Sequence, residues 1–241
     1  MRLLSLILCF LLSGCVASWV VPSDFTYTVV RSGAYNLATY QRISDTTSPI
    51  HIYIEGDGAA FDAGGRPTHN PTPHGTFLRD LAAHDTSPNV VYLARPCQYI
   101  MSDSCAQTDW TDGRFSQKII ESMAHAIEQI AYKQPVILVG YSGGAMISGL
   151  IIEQHPSITV QKWVTIAGVL NHADWTDYFG DMPLRQSMNL NKLPYISQLH
   201  YIARDDAVVP NELSRKWVAP ENLKIIDDAT HSSFPMAALE F

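Results

Sequence analysis

One serine lies among small residues directly after a run of branched apolar side chains, in the segment VILVGYSGGAMI at residues 136–147. The apolar run predicts a buried strand, and the small residues predict a sharp turn into a helix. Residues 140–144 fit the pattern G-x-S-x-G, in which glycines are needed because larger side chains would collide with the neighbouring strand and helix. Such a turn would expose the hydroxyl of Ser142 as a nucleophile. The alternatives are a glycine-rich turn with an idle hydroxyl and a phosphate-binding loop, which would need a lysine that is missing here.

A serine hydroxyl is a weak nucleophile at neutral pH. It therefore needs a base within hydrogen-bonding distance and a third group that orients the base. Two later segments can supply these groups: DDAVVP at 205–210 follows one predicted strand, and DDATH at 227–231 follows the last one. The chain order Ser142, Asp206, His231 is one of the known orders of a Ser-His-Asp triad.

These motifs together resemble the α/β-hydrolases, a family of serine esterases, lipases, thioesterases and peptidases. The resemblance extends from the first predicted strands to His231. In the family an acid is followed closely by Val-Pro, which favours Asp206 over Asp205. The resemblance implies that Ser142 attacks the substrate, that His231 takes and returns the proton, and that Asp206 orients the imidazole.

Attack on a carbonyl places negative charge on its oxygen, and preorganised N–H groups must receive that charge. The amide of Gly143, directly after the serine, is the first expected donor. The segment EGDG at 55–58 resembles the His-Gly-x-Gly loops of the family, with Glu55 in place of the histidine. This resemblance implies that the amides of Asp57 and Gly58 complete the oxyanion hole. The alternative is that Gly-Asp-Gly forms a simple turn.

Two carboxylates beside an oxyanion site are unfavourable unless they are neutralised or turned away. Arg95 follows a predicted strand that would neighbour the strand before Glu55. We expect Arg95 to pair with Asp57 or Glu55 and to hold the 55–58 loop in place. The alternative is a solvent-exposed arginine.

Three aromatic residues are candidates for the walls of a substrate pocket. Tyr141 adjoins the serine, Trp110 begins an aromatic segment at 110–115, and Trp175 lies in the segment DWTDYF. That last segment belongs to the interval 168–194, which we predict to be an irregular, short cap region, too short for a large lipase lid. The alternative for the aromatic clusters is the hydrophobic core.

The elements that must position these residues alternate along the chain. A hairpin is predicted at 25–31 and 37–42, followed by a strand at 50–54. Helices are then predicted at 75–84, 115–131, 144–154 and 211–216, and strands at 90–93, 136–139, 160–167, 199–203 and 223–226. This alternation predicts an α/β protein with a mostly parallel, twisted sheet of about eight strands and helices on both faces. In such a sheet the functional residues lie at the carboxyl ends of the strands.

The first residues differ from the rest of the chain. Arg2 is followed by an apolar stretch at 3–12 and then by Ser13-Gly14-Cys15, a pattern that resembles the lipobox of bacterial lipoproteins. The resemblance implies a signal peptide at 1–14, acylation of Cys15, a tether at 15–24 and an α/β-hydrolase domain at 25–241. Val16 after the cysteine favours the outer membrane. The alternatives are an ordinary secretory signal and an apolar tail.

Export would leave two cysteines, because Cys9 would be removed with the signal and Cys15 would carry lipid. Cys97 and Cys105 could then form one disulfide in an oxidising compartment. The alternative is a pair of buried free thiols.

The composition limits the partners of the chain. Its formal net charge is −7 at pH 7, and it has no cluster of Lys or Arg, which argues against binding to nucleic acid or to an anionic membrane surface.

We predict a lipid-anchored serine hydrolase of the cell envelope that acts on a small-molecule ester or related acyl bond without a metal or cofactor. Peptidase, thioesterase and acyltransferase activities share the triad and stay open. The alternative from another class is a catalytically inactive hydrolase-fold lipoprotein that serves as a binding protein of the envelope.

Overall fold

The computed structural model of the chain describes residues 19–240. Cys15 and the predicted signal peptide lie outside these residues. The strands are β1 (Thr26–Ser32), β2 (Tyr35–Ile43), β3 (Ile50–Ile54), β4 (Asn89–Leu93), β5 (Val136–Tyr141), β6 (Val160–Ile166), β7 (Ser197–Ala203) and β8 (Leu223–Ile226). The helices are α1 (Phe77–His84), α2 (Gln117–Ala131), α3 (Gly143–Gln154), α4 (His172–Phe179) and α5 (Asn211–Trp217), with short 3₁₀ turns at Gln107–Trp110, Pro220–Asn222 and Met236–Ala238.

The strands form one eight-stranded sheet in the order β1-β2-β4-β3-β5-β6-β7-β8. Strand β2 pairs antiparallel with both β1 and β4, and all other neighbours are parallel. The predicted mostly parallel sheet of about eight strands is therefore confirmed. Because β3 and β5 are parallel neighbours, the 55–58 loop and the G-x-S-x-G turn emerge side by side at the carboxyl ends of these strands.

The central strands are buried on both faces, as their continuous apolar runs predict. In β3, Ile50, Ile52 and Ile54 face one core layer, and Tyr53 faces the other. The first layer also contains apolar side chains of α2 and α3, and the second contains Leu78 and Leu81 of α1. Helices thus cover both faces of the sheet, which fixes the strand ends that carry the candidate site.

One part of the predicted cap region is regular, so the prediction of an irregular 168–194 interval is wrong there. Helix α4 begins after Asn171, whose side chain accepts a hydrogen bond from the amide of Asp174 at 2.9 Å. It ends at Phe179, and the next residue, Gly180, adopts the left-handed conformation with φ 70°. An Asn N-cap and a C-terminal glycine are both recognised helix boundaries, and they bring an aromatic helix beside the site.

The predicted disulfide is confirmed, because Cys97 and Cys105 are bonded with 5.8 Å between their Cα atoms. The bridge closes the segment that follows β4. This segment begins near Arg95 and leads towards the 3₁₀ turn Gln107–Trp110, so the bridge ties together two parts of the chain that approach the candidate site.

Replacing both cysteines with serine is expected to lower the free energy of unfolding by about 2.5 kcal/mol, the chain-entropy cost for a loop this short. For a chain of this size that corresponds to a fall in Tm of roughly 5–10 °C. The measurement is thermal unfolding of residues 16–241 with and without reductant. The reductant should lower the Tm of the parent protein and leave that of the double variant unchanged; an equal response of both would contradict the prediction.

Candidate active site

Ser142 occupies a strained turn between β5 and α3. Its backbone has φ 50° and ψ −122°, in the region that residues other than glycine rarely adopt. The surrounding sheet holds the turn: the amide of Ser142 donates to the carbonyl of Ile166 at 3.0 Å, and its carbonyl accepts from the amide of Val169 at 3.0 Å. These bonds fix the hydroxyl at the carboxyl end of β5.

Two glycines of the motif allow the strand and the helix to approach each other. A Cβ atom at Gly140 would lie 2.6 Å from the Cα atom of Ala145 in α3. A Cβ atom at Gly144 would lie 2.3 Å from the carbonyl oxygen of Ile54 at the end of β3. Both contacts are with backbone, which cannot rotate away, so the turn requires glycine at both positions.

Gly144→Ala is therefore expected to reduce the free energy of unfolding by about 1–3 kcal/mol, the usual cost of overpacking, because β3 or α3 must shift. Urea unfolding measures this loss. Gly75→Ala is the matched control, since an added Cβ there meets no atom within 4 Å. Equal unfolding midpoints for the two variants would contradict the steric argument.

A continuous hydrogen-bonded chain joins the three residues of the predicted triad. The Oγ atom of Ser142 lies 3.1 Å from Nε2 of His231, and Nδ1 of His231 lies 2.9 Å from Oδ2 of Asp206. The other carboxylate oxygen of Asp206 accepts hydrogen bonds from the amides of Val208 and Val209 at 2.8 and 2.9 Å. The carboxylate is thus fixed in position, and one of its oxygens faces the imidazole.

The tertiary structure also distinguishes Asp206 and His231 from other aspartate and histidine residues of the chain. Asp206 is 5% exposed and contacts His231, whereas Asp205 is exposed. Among the other histidines, His51 is paired with Asp85, and His200 lies between Thr165 and Gln198. Their rings are therefore engaged away from Ser142.

The three predicted oxyanion donors belong to segments next to Ser142 or to the cavity that it lines. Gly143 is the first residue of α3, so its N–H has no partner within the helix. No residue among 19–240 accepts a hydrogen bond from the amide of Asp57 or Gly58. The loop is packed directly on the serine, since a Cβ at Gly56 would lie 3.0 Å from the Cβ of Ser142. None of the three N–H groups is used by another acceptor among these residues.

Two buried arginines hold the side chain of Asp57. Arg95 pairs with one carboxylate oxygen, as expected, and Nη1 of Arg114 donates to the other at 2.6 Å. Burial would raise the pKa of Asp57, but the guanidinium groups of Arg114 and Arg95 outweigh it and hold that pKa below its usual value. Arg114 was not singled out from the sequence, because a lone arginine at the end of an aromatic segment carries no signal of its own.

Glu55 is held separately. It is 4% exposed, and it accepts hydrogen bonds from the hydroxyl of Tyr92 at 2.7 Å and from the amide of Gly56 at 2.9 Å. Burial raises the pKa of Glu55, while these hydrogen bonds and the charge of Arg79 oppose the shift. The side chain of Glu55 thus anchors the start of the 55–58 loop.

A cavity of about 480 Å³ opens beside Ser142 and His231. Two of the predicted wall residues, Tyr141 and Trp175, line it. Most of the remaining wall is apolar and includes Phe61, Phe77, Phe115, Val169, Leu184 and Val209. The polar side chains of the wall include Asp57, Arg114, His74 and His172. The cavity is therefore suited to a small, largely apolar molecule.

The prediction that Trp110 lines the pocket is corrected by the structure. Trp110 is 6% exposed and belongs to the first core layer, where its indole N–H donates to the carbonyl of Thr68 at 3.1 Å. The 3₁₀ turn that contains it directs the ring inward. The segment still reaches the cavity, but through Arg114 and Phe115.

Residues 19–240 contain no group of three or more His, Cys, Asp or Glu residues placed to hold a metal ion. Within the same residues, no helix has both the length and the apolar character needed to cross a membrane.

No protein-family model matches the sequence, and no curated protein matches it significantly. Solved structures do match. An α/β serine hydrolase without lid from Xanthomonas campestris has a TM-score of 0.51 at 12% identity, over 89% of this chain and 88% of that one. An α/β serine hydrolase homologue from Coxiella burnetii has a TM-score of 0.55 at 15% identity, over 89% and 92%. A bacterial membrane phospholipase A has a TM-score of 0.53 at 16% identity, over 87% and 80%. At these identities the likeness shows the fold.

Proposed function

We propose that this chain, which has the α/β-hydrolase fold, is a serine hydrolase that cleaves a carboxylic ester or a related acyl bond. The observation that carries the proposal is the hydrogen-bonded chain from Ser142 through His231 to Asp206 at the cavity. The strained conformation of Ser142 supports it, because such strain persists where the surrounding structure enforces an unusual position of a side chain.

In the first half of the reaction the Oγ atom of Ser142 attacks the acyl carbon while Nε2 of His231 takes the hydroxyl proton. Asp206 accepts a hydrogen bond from Nδ1–H of His231, which sets the tautomer and stabilises the imidazolium that forms. The carbonyl oxygen becomes negatively charged and is received by the amides of Gly143, Asp57 and Gly58. His231 then gives its proton to the leaving alcohol, and an acyl-enzyme remains on Ser142.

In the second half a water molecule takes the place of the alcohol. His231 removes a proton from this water, and the resulting hydroxide attacks the acyl carbon. The same amides receive the second oxyanion. Collapse of this intermediate releases the acid, and His231 returns the proton to Ser142.

The cavity supports a small ester as substrate. Its apolar wall suits an acyl chain, and a volume of about 480 Å³ is that of a site for a small ligand. The short 168–194 interval, with α4 alone as its helix, leaves the cavity without a large lid. Solved structures of the same fold include a serine hydrolase without lid and a phospholipase. None of these observations favours the non-catalytic alternative.

We also propose that the protein is exported and anchored through lipid on Cys15 in the cell envelope. The lipobox-like sequence supports this proposal. The first described residue, Trp19, packs on Tyr40 and donates a hydrogen bond to Asp80, so the tether that remains before the domain is short. Cys15→Ala is expected to move the protein from the membrane fraction to the soluble fraction and to abolish labelling with a palmitate analogue. Unchanged fractionation would contradict the anchor.

The test of the activity uses residues 16–241 with a fluorophosphonate probe and with 4-nitrophenyl esters of graded acyl length. The proposal predicts one adduct per chain, detected by intact mass and located on Ser142 by peptide mapping, together with ester hydrolysis that the probe abolishes. Folded protein that gives neither an adduct nor hydrolysis would overturn it.

A further inference from the structure

Arg114 is a charged residue in the largely apolar wall of the cavity, and 6% of its side chain is exposed. Two aromatic rings lie near its guanidinium group. The Cζ atom lies 5.3 Å from the ring centre of Phe61 and 5.9 Å from that of Trp175. A guanidinium group donates its hydrogen bonds from the edges of its plane, so the N–H groups at those edges are the ones that can bind a polar group.

Two of the three guanidinium nitrogens are used within the protein. Nε donates to the carbonyl of Thr111 at 2.8 Å, and Nη1 donates to Asp57 at 2.6 Å. Nη2 donates to no acceptor among residues 19–240, and it is not one of their enclosed, unsatisfied polar atoms. Since Arg114 lines the cavity, this nitrogen is the edge that a bound molecule can reach.

The local charges leave one positive charge without a counterion. Asp57 is shared by Arg114 and Arg95. Glu55 interacts electrostatically with Arg79 and also with Arg95, while its own hydrogen bonds are to Tyr92 and Gly56. Three guanidinium groups thus face two carboxylates. A positive charge held in an apolar wall attracts an anion more strongly than one in water does, because the local dielectric constant is lower.

We propose that Arg114 forms an anion subsite in this cavity, so that the preferred substrates are esters that carry a carboxylate. The inference rests on the proposed function and names its substrate class. The subsite is close to the reacting atoms: Asp57, which Arg114 contacts, lies against Gly143, where an added Cβ would be 2.2 Å from the carboxylate. The carboxylate and the scissile ester must therefore be separated by a short chain within one molecule.

The experiment compares matched esters on the wild-type protein. The charged set is the monomethyl esters of succinic, glutaric and adipic acids, and the neutral set is methyl butanoate, pentanoate and hexanoate. Each charged ester replaces a terminal methyl group by a carboxylate. The expected kcat/KM for the best charged ester exceeds that of its neutral partner by about 10- to 100-fold, the value of a hydrogen bond to a charged group. The methyl ester of ε-aminohexanoic acid should be a poorer substrate than methyl hexanoate.

Two variants assign the preference to Arg114. Arg114→Met is expected to bring the charged-to-neutral ratio of kcat/KM to one or below, and Arg114→Lys to retain part of the preference. The ratio is taken within one protein, so any effect of the variant on Asp57 or on Ser142 cancels. If Arg114→Met does not fold, the anion subsite is tested on the wild-type protein alone. Its charged-to-neutral ratio of kcat/KM should exceed one and should decrease in 1 M salt, because salt screens the charge.

The outcomes separate the two proposals. Wild-type protein that hydrolyses charged and neutral partners equally well would overturn the anion subsite and leave the ester hydrolase standing. A preference that survives unchanged in Arg114→Met would also overturn it. Folded protein that hydrolyses none of the esters and fails to react with the fluorophosphonate would overturn the proposed function, and the subsite with it.

Discussion

Replacing Ser142 with alanine is expected to reduce kcat/KM for ester hydrolysis by at least about 10⁴-fold, because the oxygen atom of the proposed nucleophile is removed. The fluorophosphonate adduct should disappear at the same time. The substitution removes one oxygen atom at a turn that the backbone of β6 holds, so the fold and the Tm should be unchanged. Initial rates and circular dichroism measure the two effects.

Ser232→Ala is the matched control, since Ser232 also lines the cavity but takes no part in the hydrogen-bonded chain. It should keep the adduct. His231→Ala and Asp206→Asn should each lower the rate by about 10³- to 10⁴-fold or more, and their losses should not add to that of Ser142→Ala, because the three residues act as a unit. An adduct that persists in Ser142→Ala would show that another residue is the nucleophile.

Asp57→Asn is expected to lower the free energy of unfolding by about 3–5 kcal/mol, which is the usual cost of leaving a buried charge unpaired. Arg95 and Arg114 are 4% and 5% exposed, and both lose their counterion in this variant. The activity should fall as well, because the 55–58 loop carries two of the proposed oxyanion donors. Chemical unfolding and ester hydrolysis measure the two losses.

Asp62→Asn is the control, since it weakens an exposed pair with Arg66 and should cost less than about 1 kcal/mol. Asp57→Asn combined with Arg95→Met should cost less than the sum of the single variants, because the double variant leaves one fewer unpaired charge.

The pKa of Asp57 is lowered in the folded protein. The contribution of ionised Asp57 to the free energy of unfolding is therefore fully present above about pH 3.9, the pKa of an unfolded aspartate. This contribution is lost as the pH falls through the lower pKa that Asp57 has in the folded protein. If the difference in the free energy of unfolding between the parent protein and Asp57→Asn grew as the pH fell, this assignment would be contradicted.

The order of elements and most of their bounds follow from local patterns in this chain. Strands β3 and β8 have the predicted limits, and the other predicted strands differ from the observed ones by no more than a few residues. Continuous apolar runs, amphipathic helices and glycines at tight turns are local signals that do not depend on distant residues. For the same reason Ser142 could be placed at the end of a strand from its immediate neighbours alone.

Other features depended on contacts between distant parts of the chain. Trp110 and Arg114 are four residues apart, and nothing in their sequence shows that the first faces the core and the second the cavity. Helix α4 was missed although Asn171 and Gly180 bound it, because its polar and aromatic residues lack a clear apolar period. The pairing of Asp57 with two arginines, separated from it by 38 and 57 positions, becomes visible only when three loops meet.

The α/β architecture, the strand-to-helix turn at Ser142 and the short list of residues that could act together follow from local sequence patterns. Tertiary contacts were needed to show that Cys97 and Cys105 are bonded, that Asp206 contacts His231, that two buried arginines hold Asp57, and that Arg114 lines the cavity. Secondary structure and turns depend on neighbouring residues. Distances between side chains of different loops, and the burial that sets their charges, arise only when the sheet brings its strand ends to one edge.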